Sequence, residues 1–327
     1  MKVLWPHNFD PAVRNSGSFM KISAVGLRDL GIDLELCYLG NLRSLNNLSR
    51  ARMLVRHKSC SFDIIHAQYG SACAVATAAA RGVPKVLSLR GNDWSVYSGK
   101  YNFHYLHSRL ARLMTKSVLK DFEAVITVSK RMLREVQRYY PNAEVHYIPS
   151  PVDLERFTPL DKQQARKMLG YNNSNEKWIL FTTLSKTDPV KRLSLAQDAF
   201  SKANQRMGNL RLRIANGIDH KQMPVFVASC DMILCTSETE GWPNSVKEAL
   251  ACNIPFVSTD VSDLAEISEQ EPSCRICSPN ADAIAENICD VLSEMQQTDL
   301  RRHVQEMSLP VISDKIVHLY KSIKTPC

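Results

Sequence analysis

The chain has 327 residues, of which 44% are hydrophobic, and a net charge of +8 at pH 7. This length allows two domains of ordinary size, and the composition is typical of a globular enzyme. No run approaches the ~20 apolar residues of a membrane-spanning helix, and the first apolar residues are too few for a signal peptide. We therefore expect a cytoplasmic protein with reduced cysteines.

The charge is unevenly distributed along the chain. Residues 1–160 hold 22 Lys and Arg against 12 Asp and Glu, whereas residues 161–327 hold 19 against 21. This asymmetry indicates that the first half faces something anionic. Four basic residues recur at helical spacing within it, namely Arg109, Arg112, Lys116 and Lys120. The pattern fits an anionic membrane surface, and it equally fits a basic face that is simply solvated.

Short β-rich runs alternate with helical patterns, which predicts parallel α/β architecture. The strands predicted in the first half are Lys2–Trp5, Glu35–Leu39, Asp63–Ala67, Lys85–Leu89, Ala124–Val128 and Glu144–Ile148. Those predicted in the second half are Trp178–Thr183, Leu210–Ala215, Asp231–Thr236 and Ile254–Ser258. Three prolines indicate a linker at 149–160, and the last helical pattern covers Ser313–Lys324.

Two carboxylates, Glu240 and Glu248, lie where the predicted strand Asp231–Thr236 runs through a turn into a helical pattern over Val246–Cys252. Open α/β sheets bind ligands beyond the carboxyl ends of their strands, and a helix N-terminus favours an anion such as a diphosphate. The arrangement therefore indicates a nucleotide-sugar site. The alternative is a capping box, with Ser245 as N-cap and Glu248 three residues on, which would make Glu248 a structural residue.

The stretch Ser237–Asp260 resembles the signature of the retaining glycosyltransferases of family 4, which carries two glutamates separated by seven residues. Further matching pieces are Lys2–Pro6 with Asn15–Phe19, Asp63–Gly70, Leu87–Asp93, Val125–Ser129 and Ile148–Pro159. The resemblance implies the α/β fold called GT-B, with two Rossmann-like doubly wound domains facing across a cleft. It implies an acceptor domain at 1–152, a nucleotide-sugar donor domain at 153–312, and a last helix at 313–327 that can cross back to the first domain.

The donor site follows from the resemblance, residue by residue. Glu240 would contact the donor sugar and balance positive charge at the anomeric carbon, while Glu248 would bind the ribose hydroxyls. Lys191 would neutralise the donor phosphates. Ser185 and Lys186 stand where the family usually has an arginine, so Lys186 offers a point charge without a guanidinium fork. The remaining donor contacts implied are Trp242 and Pro243 beside the sugar, and the amides of Asn244, Ser245 and Val246 at the diphosphate.

The resemblance also singles out residues with a less defined role. Gly17 would let the backbone approach the donor phosphate. Arg90 stands where the family motif often begins with histidine, and it either binds an anionic acceptor or pairs with Asp93, itself a catalytic candidate that would contact acceptor or sugar. His66 closes a predicted strand, either as a core histidine or as a functional one. Glu266 matches a later family glutamate, but the glycine pair that usually precedes that glutamate is absent from this sequence.

The reaction implied is retaining transfer of a hexose from a nucleoside diphosphate sugar to a glycan or lipid-linked acceptor, in the manner of polysaccharide biosynthesis. No DxD triplet occurs in the sequence, so we expect no metal or cofactor, with protein cations and helix ends neutralising the diphosphate. The alternatives are a sugar-nucleotide epimerase of the same fold and a non-catalytic nucleotide-sugar-binding protein. A nucleic-acid-binding protein is disfavoured because no such module is recognisable.

Overall fold

The computed structural model describes residues 1–13, 15–97, 103–172, 175–219, 221–294 and 299–324. The chain divides into two compact units. The first comprises Met1–Pro151, Thr239–Trp242 and Leu309–Cys327, and the second comprises Val152–Glu238 and Pro243–Ser308. The grouping of 239–242 with the first unit has no counterpart in the division expected from the sequence.

The first unit is a parallel sheet covered by helices. Its strands are β1 (Lys2–His7), β2 (Asp33–Tyr38), β3 (Ile64–Ala67), β4 (Lys85–Leu89), β5 (Ala124–Thr127) and β6 (Val145–Tyr147). Its helices are α1 (Ser18–Asp29), α2 (Leu45–Ser59), α3 (Ser71–Thr77), α4 (Phe103–Val118), α5 (Lys130–Tyr139) and the last helix of the chain, α12 (Leu309–Ile323). The strands follow the order β2-β1-β3-β4-β5-β6.

The last helix packs against α1 in the core of the first unit. A Cβ atom on Gly26 would overlap the Ser313 hydroxyl, so the two helices approach at a point where only glycine fits. The Trp5 indole Nε1 donates a hydrogen bond of 2.8 Å to the hydroxyl of Tyr320. Strand β1 and helix α12 are thereby joined through buried side chains.

The second unit repeats the architecture. Its strands are β7 (Lys177–Thr182), β8 (Leu210–Ala215), β9 (Met232–Cys235), β10 (Phe256–Thr259) and β11 (Arg275–Cys277). Its helices are α6 (Lys162–Met168), α7 (Leu193–Met207), α8 (Met223–Ala228), α9 (Asn244–Ala251), α10 (Leu264–Ser268) and α11 (Ala281–Ser293). The strands follow the order β11-β10-β9-β7-β8, and all pairs are parallel. Both sheets confirm the predicted parallel α/β class.

All ten predicted strands are present with small shifts at their ends, but β11 was missed. It has three half-buried residues at the sheet edge, so it lacks the buried apolar run on which the other predictions rested. The last helix begins at Leu309, four residues before the predicted Ser313. Within the described ranges, no helix is long and apolar enough to cross a membrane.

Candidate active site

The loops after β7 and β9 meet where the strand order of the second unit reverses. β7 lies between β8 and β9, so the chain leaves β7 in one direction to reach β8 and returns on the other side to form β9. Ligands of open α/β sheets bind at such a switch point, beyond the carboxyl ends of the strands. Lys186 and Lys191 lie in the loop after β7, Lys186 exposed and Lys191 half-buried. The loop after β9 leads into α9 and Glu248.

Arg192 fastens these two loops together. Its Nε donates to the carbonyl oxygen of Thr236 and its Nη2 to that of Ser237, both at 2.7 Å. The Thr236 hydroxyl donates in turn to the carbonyl of Lys191 at 2.7 Å, and the Glu238 N–H donates to the carbonyl of Val190 at 2.8 Å. Since the guanidinium fork is engaged with backbone carbonyls, Arg192 positions the loops and Lys191 within them.

Helix α9 begins earlier than the sequence suggested. Pro243 is the N-cap and Asn244 the first helical residue, so Ser245 is not a cap and the capping-box interpretation is wrong. The Val246 N–H donates to the carbonyl of Pro243 at 3.1 Å, and it is therefore already engaged. The N–H groups of Asn244 and Ser245 precede the first intrahelical bonds. Of the three amides that the resemblance implied at the diphosphate, these two remain suited to bind an anion.

The Asn244 side chain adds a polar atom to this helix start. Its Oδ1 is buried and, among the described residues, has no hydrogen-bond partner. A buried acceptor without a partner is costly, so the position suits a ligand that brings a hydroxyl or N–H group. Trp242 and Pro243, which precede it, are both buried.

Glu248 lies one turn into α9 and is half-buried. Burial raises its pKa to about 7, although the positive charges of Lys247 and Arg156 oppose the shift. The carboxyl group is therefore divided between its neutral and charged forms near neutral pH. Hydroxyl donors from a ligand would favour the charged form.

Glu240 is half-buried in the segment 239–242 that groups with the first unit. The next residue, Gly241, approaches the first-unit backbone so closely that a Cβ there would overlap the carbonyl of Arg90. A Cβ on Gly91 would in turn lie 2.9 Å from the Gly241 nitrogen. Two glycines are thus required where the Glu240 segment meets the loop after β4.

The switch point of the first sheet lies between β1 and β3. The chain leaves β1 on one side to form β2 and returns on the other side to form β3. Gly17 follows β1 as the N-cap of α1 and has a φ of 66°, in the left-handed region that favours glycine. A Cβ there would lie 2.9 Å from the Phe9 side chain. Gly17 therefore permits both this backbone conformation and this close approach.

Asp93 is fully buried and accepts hydrogen bonds from backbone donors. The N–H groups of Gly70, Gly91 and Arg90 donate to its carboxylate at 2.7, 2.8 and 2.9 Å. Burial raises the pKa of Asp93, and these three hydrogen bonds oppose the rise. Because both oxygens are occupied by backbone, the geometry favours a positioning role over contact with a substrate.

Arg90 donates to Asp93 through its backbone N–H, and its guanidinium has other partners. Its Nη2 donates to Gln68 Oε1 at 2.8 Å and its Nη1 to the Ser150 hydroxyl at 3.0 Å. Its Cζ atom also lies 4.9 Å from the centroid of the Phe19 ring. Burial lowers the pKa of Arg90 to about 10, which leaves it charged at neutral pH. The sequence-based alternative in which the Arg90 side chain pairs with Asp93 is therefore wrong.

His66 is buried with both ring nitrogens hydrogen-bonded. Nδ1 lies 2.5 Å from the Tyr320 hydroxyl and Nε2 lies 2.8 Å from the Ser88 hydroxyl. The Tyr320 oxygen already accepts from Trp5, so its own proton is directed to His66 Nδ1 and the imidazole proton belongs on Nε2. Burial lowers the pKa of His66 well below its ordinary value. This is the geometry of a satisfied, neutral core histidine.

Glu266 lies in α10, after β10, and is half-buried. Ser262, which stands where the family has glycine, adopts a φ of 56°, and Asn253 adopts 58° where a helix-ending glycine is common. Across the described ranges, no group of three or more His, Cys, Asp and Glu side chains is arranged to hold a metal ion.

Sequence reasoning missed the residues that hold the site rather than line it. Arg192 was visible beside Lys191, but nothing in the sequence showed that its guanidinium would bind carbonyls 44 and 45 residues further along the chain. Gln68 and Tyr320 gave no signal, because each acts through a partner that is distant in sequence. Such partners are found only when the topology is known.

Two family models match the chain. Glycosyltransferase Family 4 matches residues 10–156, and Glycosyl transferases group 1 matches residues 197–294. The two matches cover the greater part of both units and include most of the elements described above.

Two curated relatives were found. A Bacillus subtilis protein named as a glycosyltransferase of teichuronic acid biosynthesis, TuaC, is 25% identical over 69% of the chain and 60% of its own length. The N-acetyl-alpha-D-glucosaminyl L-malate synthase of Bacillus anthracis is 21% identical over 80% of the chain and 74% of its own length. The alignment with TuaC thus spans less than two thirds of that relative.

Solved structures share the fold across nearly the full chain. The sucrose-phosphate synthase of Thermosynechococcus elongatus has a TM-score of 0.79 at 15% identity, over 98% of each chain. Anabaena HepE in complex with UDP-glucose has a TM-score of 0.73 at 16% identity, over 99% of this chain and 100% of that one. At these identities the likeness concerns the fold.

Proposed function

We propose that this chain, a family-4-like glycosyltransferase with the GT-B fold, transfers a hexose from a nucleoside diphosphate sugar to a glycan or lipid-linked acceptor with retention of anomeric configuration. One observation carries the proposal. Lys191, the N-terminus of α9 and Glu248 belong to the two loops that leave the sheet at the switch point of the second unit. The related HepE structure, which holds UDP-glucose, supports a donor of this class.

The diphosphate is bound without a metal ion in this proposal. Lys191 supplies a positive charge, and the N–H groups of Asn244 and Ser245 supply donors at the positive end of the α9 dipole. Exposed Lys186 is a second cation within the same loop. As the bond to the anomeric carbon breaks, negative charge builds on the leaving phosphate, and these groups stabilise it.

Glu248 and Asn244 bind the nucleoside side of the donor. A carboxylate accepts two hydrogen bonds from vicinal hydroxyls, and since the pKa of Glu248 is about 7 in the free protein, such donors would complete its ionisation near neutral pH. Asn244 Oδ1, buried and unpartnered among the described residues, accepts a further donor hydrogen bond.

Glu240 acts at the sugar. The bond from the anomeric carbon to the leaving phosphate oxygen breaks, and the acceptor oxygen bonds to the same face of that carbon. The acceptor's proton passes to the departing phosphate oxygen, so no protein nucleophile is required. Glu240 balances the positive charge that develops on the sugar, and Asp93 positions the Gly70 and Gly91 backbone.

The acceptor is assigned to the first unit. Arg90 is charged, and Gln68 and Ser150 hold its guanidinium in one orientation. This fixed cation favours an acceptor with an anionic group. The kinship with a teichuronic acid biosynthesis enzyme agrees with a role in polysaccharide biosynthesis.

A donor screen followed by product analysis tests the function. Nucleoside diphosphate hexoses are first ranked by thermal stabilisation, since a ligand that binds the native state raises stability. The best donor is then incubated with candidate acceptors, and the product's anomeric configuration is determined by NMR. We expect the configuration of the donor. An inverted product contradicts the retaining reaction, and conversion of the donor sugar without any acceptor indicates an epimerase instead.

A further inference from the structure

Helix α4 presents an apolar face to solvent. Leu106, Leu110 and Leu113 recur at intervals that place them on one side of the helix, and they are 60%, 57% and 59% exposed. Ala111 and Thr115 lie on the opposite side and are buried. The leucine face, as we call Leu106, Leu110 and Leu113, is therefore not the side that packs on the protein. Neighbouring exposed leucines of this kind mark interaction surfaces.

Exposed basic residues lie beside the leucine face on α4 and on the adjacent helix. Arg109 of α4 is exposed, as are Arg134 and Arg138 of the next helix, α5. The two helices are adjacent, because Lys116 Nζ lies 3.6 Å from the centroid of the Tyr139 ring. Tyr139 is itself 47% exposed, which adds an amphipathic aromatic residue to the same surface.

The structure corrects the single basic face expected from the sequence. The Arg112 guanidinium lies 5.0 Å from the centroid of the Trp94 ring, and Lys116 is engaged with Tyr139. Lys120 lies beyond the end of α4, in the 3-10 turn Leu119–Asp121. The outward face of α4 is therefore apolar, with positive charge at its side.

We propose that the leucine face inserts into the headgroup region of an anionic membrane, with Arg109, Arg134 and Arg138 contacting lipid phosphates. An apolar helix face bordered by cations is the arrangement of interfacial helices. Each cation near such a surface adds attraction within the Debye length. A second copy of the chain is a poorer occupant, because it would bring like charges together.

The docking helix is tied to the candidate acceptor loop. The Thr115 hydroxyl donates to the carbonyl of Asp93 at 2.9 Å and accepts from the Ser71 N–H at 2.7 Å. A membrane-bound α4 would hold the loop that carries Arg90 at a fixed height above the lipid. Membrane docking therefore favours a lipid-linked acceptor at the membrane surface. This step rests on the proposed function, which assigns the acceptor to the first unit.

Vesicle co-sedimentation tests the docking. Wild-type protein is compared on phosphatidylglycerol–phosphatidylcholine and on pure phosphatidylcholine vesicles, at low and high salt. We expect binding to the anionic vesicles only. The triple variant L106S/L110S/L113S should bind the anionic vesicles at least about 10-fold more weakly, because the apolar contribution is lost. The variant R109Q/R134Q/R138Q should show a loss of the same size, because the electrostatic attraction is lost. The matched control is K167Q/M168S in the second unit, where both side chains are exposed, and it should bind as wild type does.

Insertion is measured with Leu110→Trp. The four native tryptophans are buried, so the new indole reports its own surroundings. Its emission should shift to shorter wavelength on anionic vesicles and be quenched by brominated lipid. Unchanged emission, or a leucine triple variant that binds like wild type, overturns the proposal, as does equal binding to both vesicle types or none to either. Self-association that the leucine variant abolishes would instead identify a dimer interface.

Nucleoside diphosphate affinity separates this proposal from the donor assignment. The leucine face lies outside the donor loops, so L106S/L110S/L113S should bind nucleotide like wild type. Loss of vesicle binding with intact nucleotide binding would show that the leucine face acts in membrane docking and not in donor binding. Loss of both would show that the variant is misfolded, and R109Q/R134Q/R138Q with Leu110→Trp then decides the question.

Discussion

Arg192 and Thr236 exchange hydrogen bonds across the switch point of the second sheet. The guanidinium Nε donates to the Thr236 carbonyl at 2.7 Å, and the Thr236 hydroxyl shares its proton between the Lys191 carbonyl at 2.7 Å and the Arg192 carbonyl at 3.1 Å. The loop that carries Lys191 and the loop that leads to α9 are therefore held as one structure. Pre-organised loops of this kind reduce the ordering that a ligand must impose.

Replacing Arg192 by lysine tests this relationship. The charge is retained, but an ammonium group cannot bond both carbonyls as the planar fork does. We expect nucleoside diphosphate binding to weaken by about 1–3 kcal/mol, measured by calorimetry. Arg206→Lys in α7, where the side chain is exposed, is the matched control and should bind normally. Unchanged affinity in Arg192→Lys would remove its positioning role.

Nucleotide binding should release a proton from Glu248. Its pKa is raised to about 7 by burial in the free protein, and hydroxyl donors lower it on binding. Near pH 7 we expect release of about half a proton, because half of the groups are protonated there. Calorimetry in buffers of different ionisation enthalpy measures this number. The ligand is a nucleoside diphosphate sugar, whose diphosphate has no terminal phosphate that titrates near pH 7. With it a Glu248→Gln variant should release none, and persistence of the release in that variant contradicts the assignment.

The same shift has a consequence for the stability of the free protein. A carboxyl group whose pKa is raised in the folded state favours folding below its unfolded pKa, and this contribution is lost as pH rises to about 7. Without ligand, Glu248→Gln should therefore match wild type near pH 4 and gain stability relative to it by pH 8. Melting temperatures across this range check the sign. The reverse trend would show that Glu248 is stabilised as a carboxylate.

Tyr320→Phe should destabilise the first unit. The change removes the acceptor for Trp5 Nε1 and the donor to His66 Nδ1, leaving two buried polar groups unsatisfied. The expected loss is about 1–3 kcal/mol of unfolding free energy for each group, measured by urea denaturation. Tyr38→Phe, at a 38% exposed position, is the control. Equal stability of the two variants would contradict this account of the buried network.

Donor binding should not depend on a metal ion. Lys191 and the N-terminus of α9 are proposed to neutralise the diphosphate, so nucleoside diphosphate should raise the melting temperature equally with and without a chelator. Stabilisation that disappears on chelation, and returns with added magnesium, would show that a metal takes part.

The sequence predicted the framework of this protein better than its detailed contacts. The buried strands and their order along the chain could be predicted because apolar runs alternate with helical patterns. The glutamate pair could be identified by its spacing. The start of α9 was placed two residues late, at Val246 instead of Asn244, because Ser245 is a better cap by type than Pro243.

What the sequence could not predict depends on long-range contacts. Asp93 was selected as a catalytic residue by its motif, yet its carboxylate is occupied by the N–H groups of Gly70, Gly91 and Arg90. Its burial follows from packing that no local pattern encodes. The leucine face of α4 was overlooked for a related reason. Leucines at helical spacing are usually core residues, and only the fold shows which side of the helix is covered.

Separating catalysis from donor binding in the glutamate pair tests the account most directly. Glu240→Gln preserves shape and removes charge, so turnover should fall by ~100-fold or more, the size of a lost electrostatic stabiliser, while the Kd for free nucleoside diphosphate stays unchanged. Glu248→Gln should instead weaken nucleoside diphosphate binding by about 1–3 kcal/mol. The decisive measurement is kcat together with this Kd for both variants. Full turnover in Glu240→Gln, or normal nucleotide binding in Glu248→Gln, would contradict the assignment of roles.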